Sequence, residues 1–216
     1  MRRLSAIFLA LALLAPALAS GEEPVRPPQP GDWVVFDSYT EFSEGGRENE
    51  PAQRYVLASI KNDAWLVVFD EESSPESVLE KDAACRRAGK SVLPVNNGQP
   101  MIAAYLAGLF SLQAAEAKME KIDVVEEDLE TPAGVFSCFK ETYTVLLPMP
   151  PEGLFNAEGT VRVWTCPELP FPGFARLDID LFGNRVQQLR EKGQGQPPAR
   201  AALAEMPFIT DSMRWD

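Results

Sequence analysis

The residues that could do chemistry are few: three cysteines, at 85, 138 and 166, and two acidic groupings. The chain of 216 residues contains no histidine. That removes the usual general base, the commonest zinc ligand and every histidine-dependent triad. No two cysteines are close enough in sequence for a CxxC redox or zinc pattern. A nucleophilic cysteine needs a neighbouring base or cation to lower its pKa. Cys85 has Arg86 and Arg87 beside it but no base, and it reads as a structural thiol. Asp178 and Asp180, in RLDIDLF, would face the same way on a strand and could hold a cation or act as acid and base. Their alternation with Leu177, Ile179 and Leu181 points instead to a solvated polar face. Glu126-Glu127-Asp128 reads as a solvated edge or loop rather than a calcium site. No calcium-loop, phosphate-loop or nucleophile-elbow motif occurs. The expectation is a protein that is not an enzyme and needs no metal or cofactor.

The N-terminus sets the compartment in which those cysteines act. MRRLSAIFLALALLAPALAS has two arginines, an apolar run from Ile7 to Leu14 and the small-residue pattern Ala17-Leu18-Ala19. This is the layout of a secretory signal peptide, expected over residues 1–19. The apolar run is too short for an ordinary bilayer-spanning helix, so the mature chain is expected not to be an integral membrane protein. Periplasmic or secreted localisation follows, and there disulfides persist. The formal net charge of -12 becomes more negative when Arg2 and Arg3 leave with the signal. Such a chain repels phosphate backbones, so no nucleic-acid partner is expected.

The elements that must position the cysteines are mostly strands. Residues 20–30 are a proline-rich linker, followed by one β-rich domain over 31–216. WVVFDSY alternates as a strand, and RYVLASI and WLVVFD are two more strand-like runs, joined by a short hairpin connection at Lys61-Asn62-Asp63-Ala64. A helical insertion is predicted over about 75–119. Its first part starts at Ser74-Pro75 and stops at Gly89, and a proline- and asparagine-rich turn follows. Its second part, from Met101, is dense in helix formers and carries a stripe with Tyr105, Leu106, Leu109 and Phe110. After it IDVVEEDLE, VFSCFKETYTVLL, TVRVWTC, FARLDIDLF and NRVQQLREKG read as strands. Thr131-Pro132-Ala133-Gly134 is a tight turn, and PMPPEGLFNAEG is a loop that proline keeps out of any ladder. The tail PPARAALAEM reads as a short helix. The predicted fold class is α+β: a strongly curved antiparallel sheet, an open half-barrel, with helices packed on one face. A closed up-and-down barrel with a helical insertion is the alternative.

The cysteines are best explained as a staple. On VFSCFKETYTVLL the odd positions from Val135 to Leu147 are the more apolar, which predicts that they face inward and that Cys138 lies on the more polar face. If this strand pairs with TVRVWTC, the register that opposes Cys138 to Cys166 also opposes Lys140 to Trp164 and Tyr143 to Val161. Lys140 over Trp164 would be a cation–π pair. Face parity therefore favours a Cys138–Cys166 disulfide. A bond from Cys85 to either partner is the rival.

Three stretches, TPAGVFSCFKETY, VRVWTCPELPFPGFARLDID and the closing QQLREKG, resemble the periplasmic lipoprotein-carrier superfamily of LolA, LolB and LppX-like half-barrels and related exported domains. GDWVVF near the start is compatible with the same architecture. The resemblance implies a curved sheet whose concave face is plugged by helices and which binds acyl chains or lipoproteins between them. On that reading the chain is an exported binding or carrier domain for a hydrophobic or lipid-like ligand. Tyr105, Leu106, Leu109 and Phe110 would border the ligand, with a hydrophobic small molecule or a lipoprotein as partner. The alternative is a non-catalytic structural or protein-interaction domain of the cell envelope with a filled core.

Overall fold

The structure, a computed structural model, describes residues 25–62, 64–71, 87–96, 99–100, 118–149, 155–181 and 183–199. Ten strands run through them. They are β1 (Asp32–Glu41), β2 (Arg47–Lys61), β3 (Ala64–Glu71), β4 (Arg87–Asn96) and β5 (Gln99–Pro100), then β6 (Lys118–Thr131), β7 (Gly134–Met149), β8 (Phe155–Thr165), β9 (Phe174–Asp180) and β10 (Asn184–Gln194). Among the described residues there is no helix. The α+β expectation is therefore corrected: the described fold is all-β, one antiparallel sheet in the order β5-β4-β3-β2-β1-β10-β9-β8-β7-β6. Two meanders grow outward from the contact between β1 and β10. Neighbouring strands are joined by short connections wherever the chain between them is described, which suits antiparallel pairing.

Several local readings change with it. Arg87–Asn96, expected to end a helix and form a turn, is a strand paired with β3 from Ala64↔Pro94 to Glu71↔Arg87. Gly89, expected as a helix stop, lies opposite Phe69, whose ring covers it; a Cβ there would come 2.4 Å from the ring. Helix propensity lost to an available strand edge, as tertiary context commonly decides. The rest of the predicted insertion and the expected C-terminal helix lie outside the described residues. β2 starts at Arg47, inside the expected polar loop. Pro148 continues β7 and pairs with Asn156. Among the described residues the last β6 partner on that strand is Leu146, and Pro148 has β8 as its described neighbour.

The turns follow the expected chemistry. Asn62, at φ 51°, turns β2 into β3 where Lys61 meets Ala64, and asparagine tolerates that left-handed backbone. Thr131 closes the β6–β7 turn twice. Its hydroxyl donates to the Gly134 carbonyl at 3.0 Å and accepts from the Ala133 N–H at 3.2 Å.

The core centres on Phe36, fully buried, stacked on Phe174 at 5.3 Å between ring centroids and edge-on to Tyr55 at 5.9 Å. Trp65 packs against Phe171 at 5.6 Å. Ladder irregularities at Phe36–Ser38, Leu57–Ser59 and Lys121–Asp123 add local bending. The bend is strong on the β6 side. Gln188 on β10 donates to the Glu130 carbonyl on β6 at 3.0 Å, although three strands separate them in the sheet.

β7 does not bury one face along its length. Its even residues Phe136 and Cys138 are buried near the turn, while Val135, Ser137 and Phe139 are exposed. Further on the odd residues Tyr143 and Val145 join the core. The expected inward odd face thus holds for the second half of β7 alone. Curvature brings the first half over the opposite side of the sheet.

Candidate functional site

The Cys138–Cys166 disulfide joins the start of β7 to the end of β8, with a sequence separation of 28. Both cysteines are buried. They sit one step beyond the Phe139↔Thr165 pair, in the register that opposes Lys140 to Trp164 and Tyr143 to Val161. The Lys140 ammonium lies 5.5 Å from the Trp164 ring centre, within cation–π range.

The disulfide anchors the segment Pro167–Gly173, which folds back as a plug instead of looping into solvent. Its three prolines restrict the backbone to few conformations. The Cys166 N–H donates to the Gly173 carbonyl at 3.0 Å, and the Leu169 N–H to the Cys166 carbonyl at 2.9 Å. Glu168 accepts from the Ser137 N–H at 2.8 Å, tying the plug to β7. The Phe171–Pro172 peptide is cis. Leu169 and Phe171 are each 2 % exposed.

A cleft of about 1110 Å³ opens between this plug, the start of β7 and the adjoining ends of β1 and β10. Phe139, Leu169 and Phe171 supply its apolar wall. Trp33 lies at its floor, flat against Gly193 on the paired strand, where a Cβ would meet the indole at 2.5 Å. Charged groups edge it. Arg26 holds Asp32 through two bonds of 2.9 and 2.6 Å, and this bond raises the guanidinium pKa above its usual value. The Lys192 ammonium lies 4.6 Å above the Phe136 ring and has no carboxylate partner among the described residues. The cleft therefore presents an apolar side chain and a cation together, with the carboxylates of Glu126 and Glu168 also on its lining.

One member of each acidic grouping is used structurally. Asp178 is buried, not solvated as its alternation suggested. It accepts from Arg176 at 2.7 and 3.0 Å; burial alone would lower the guanidinium pKa, and these bonds raise it instead. Glu127 accepts from the Trp164 indole N–H at 2.6 Å and lies 3.6 Å from the Lys140 ammonium. Trp164 is thus enclosed by Lys140, Arg176 and Glu127, with no open ring face for a ligand. Among the described residues no group of three or more acids or cysteines is placed to hold a metal ion.

The expected ligand-bordering residues Tyr105, Leu106, Leu109 and Phe110, and Cys85, lie outside the described residues. Phe139, Leu169, Phe171 and Lys192 were not foreseen as a group. The available signal was the segment PELPFP, whose apolar residues sit among prolines directly after a disulfide cysteine.

No protein-family profile matches the chain, and no curated protein is similar to it. Solved structures do resemble it. A candidate lipoprotein from Parabacteroides distasonis aligns with a TM-score of 0.50 at 15 % identity, covering 77 % of this chain and 97 % of its own. A candidate exported protein with a YmcC-like fold from Bacteroides fragilis aligns at 0.46 and 16 % identity, covering 78 % and 98 %. At such identities the first likeness shows a shared curved-sheet fold and nothing finer. Neither comparison names the lipoprotein-carrier superfamily.

Proposed function

We propose that the chain is an exported, non-catalytic binding module of the cell envelope that holds a lipid-like amphiphile in its cleft. It works outside the cytoplasm, in the periplasm or as a secreted protein. The signal-like N-terminus supports this, and so does a disulfide that suits an oxidising compartment. The fold is also that of a neighbour described as a candidate lipoprotein. The resemblance of three sequence stretches to the lipoprotein-carrier half-barrels is the finer form of the same reading.

The observation that carries it is the cleft. Its volume of about 1110 Å³ is slightly above the usual range of small-molecule sites. Phe139 takes the hydrocarbon part, backed by the buried Leu169 and Phe171, and the Lys192 ammonium takes an anionic head group.

The test is titration of the mature protein with N-phenyl-1-naphthylamine, an uncharged fluorescent probe of apolar sites, followed by displacement with a long-chain fatty acid. Phe139 is 42 % exposed, so its truncation spares the fold. Loss of its contact, worth roughly 1.5–3 kcal/mol, should weaken binding of both by about 10–100-fold in Phe139→Ala. Lys192→Met should weaken the fatty acid and spare the uncharged probe. A wild-type protein that shows no saturable binding of either would sink the reading.

A further inference from the structure

The β6–β7 hairpin carries five of the eight large apolar side chains that stand exposed among the described residues: Ile122, Val124, Val125, Val135 and Phe139. Among the described residues β6 is also the outermost strand on its side of the sheet. Its backbone directions follow from its end. Thr131 and Gly134 flank a two-residue turn and form a hydrogen-bonded pair, so Thr131, Leu129, Glu127 and Val125 direct their N–H and C=O groups at β7. Glu130 points the other way, and Gln188 caps its carbonyl. By the same alternation Val124, Glu126 and Asp128 direct their groups outward. The Asp123 carboxylate caps the Val124 N–H at 2.9 Å. Between these two caps, the outward groups from the Val124 carbonyl to the Glu130 N–H meet no hydrogen-bond partner among the described residues.

Such an edge is a template for an added strand. Its side chains select the occupant. Glu126 and Asp128 are exposed on one face, where an incoming strand would lie beside two carboxylates. On the other face stand Val125 and Leu129, with Glu127 already taken up by Trp164 and Lys140. A second copy of this chain would set the same carboxylates against each other. We infer that the edge Val124–Glu130 docks an extended polypeptide segment in which lysine or arginine alternates with β-branched apolar residues, added as a further strand. The cations meet Glu126 and Asp128, and the apolar residues continue the row of Val125 and Leu129.

The probe is the capped peptide KVKVKVK, with EVEVEVE and KVKPKVK as comparators, used against the full mature chain. Binding is read by fluorescence anisotropy and by amide hydrogen exchange. KVKVKVK at saturation should slow exchange at Glu126, Asp128 and Glu130 by about tenfold or more. KVKPKVK keeps the charge but cannot complete the ladder, so it should bind far more weakly. The double variant Glu126→Lys with Asp128→Lys changes exposed side chains only and should melt as the wild type does. It should lose KVKVKVK and gain EVEVEVE. Equal binding of the proline peptide, or binding without protection of those amides, would reduce the interaction to surface charge and overturn the inference. A peptide-free protein that sediments as a dimer with the same amides protected would overturn it too, and would assign the edge to a second copy.

Discussion

β1, β8, β9 and β10 bury side chains on both faces of the sheet, whereas β6 is exposed on both faces from Glu120 to Glu126 and the first half of β7 keeps one face in water. The two regions solve different problems. In the centre every polar group needs a partner, since an unpaired buried one costs about 1–3 kcal/mol. Gln187 accordingly reaches both Ser38 and Gln53, and Asp178 takes Arg176. The hairpin has less apolar contact to hold it. It is attached by a covalent bond at Cys138, by the Glu127–Trp164 bond and by the Lys192–Phe136 contact. Packing holds the centre, and point attachments hold the edge.

The largest effect should come from the centre. Phe36→Ala removes a fully buried ring stacked on Phe174 and should cost about 3–5 kcal/mol in urea unfolding. Val135→Ala, at a side chain 66 % exposed, should change stability by less than about 0.5 kcal/mol. Comparable costs at the two sites would abolish the distinction between the regions.

Next comes the covalent attachment. Replacing Cys138 and Cys166 together by serine opens a loop with sequence separation 28, and the chain-entropy model gives about 3–4 kcal/mol, less any compensation in the native state. Amide exchange sharpens the point. It should accelerate in the first half of β7 and in Pro167–Gly173 before it does in β1 and β10. Uniform acceleration would show that the disulfide supports the whole sheet rather than its edge.

The smallest effect is confined to alkaline pH. Burial first, and then its bond to the Glu141 carboxylate, push the Tyr143 phenol from 10.0 up to about 12. Lys121, ion-paired to the same carboxylate at 2.7 Å, is raised by that bond as well. Both groups hold their protons longer in the folded chain than in the unfolded one. Their stabilisation is complete below about pH 10 and is lost as pH rises toward 12. Ultraviolet absorbance should show a late phenol ionisation step, and Tyr143→Phe should remove it. If Tyr143→Phe left the late part of the titration unchanged, the middle of the hairpin would be as open as its tip.

Much of the strand pattern was legible because alternation is local. β1 and β9 announce themselves by alternation, β3 by an unbroken apolar run, and the turns at Asn62 and Thr131–Gly134 by residue type. The β7–β8 register was legible too, since parity and two cysteines leave few choices. β4 was not. Its alanine, arginine and lysine favour a helix in isolation, and only the presence of β3 makes a strand of them. Nor was the cleft, because Phe139, Leu169 and Lys192 meet across distant parts of the chain.

By itself the sequence determined which residues share a face, where the chain turns and which cysteines can meet. Those properties depend on spacing and on the preferences of single residues. Only the tertiary structure decided which face is buried, that β1 meets β10, that Asp178 lies inside and that β6 is left at the edge. The physical reason is that period two says nothing of curvature. Once the sheet bends, one strand can bury its even residues at one end and its odd residues at the other.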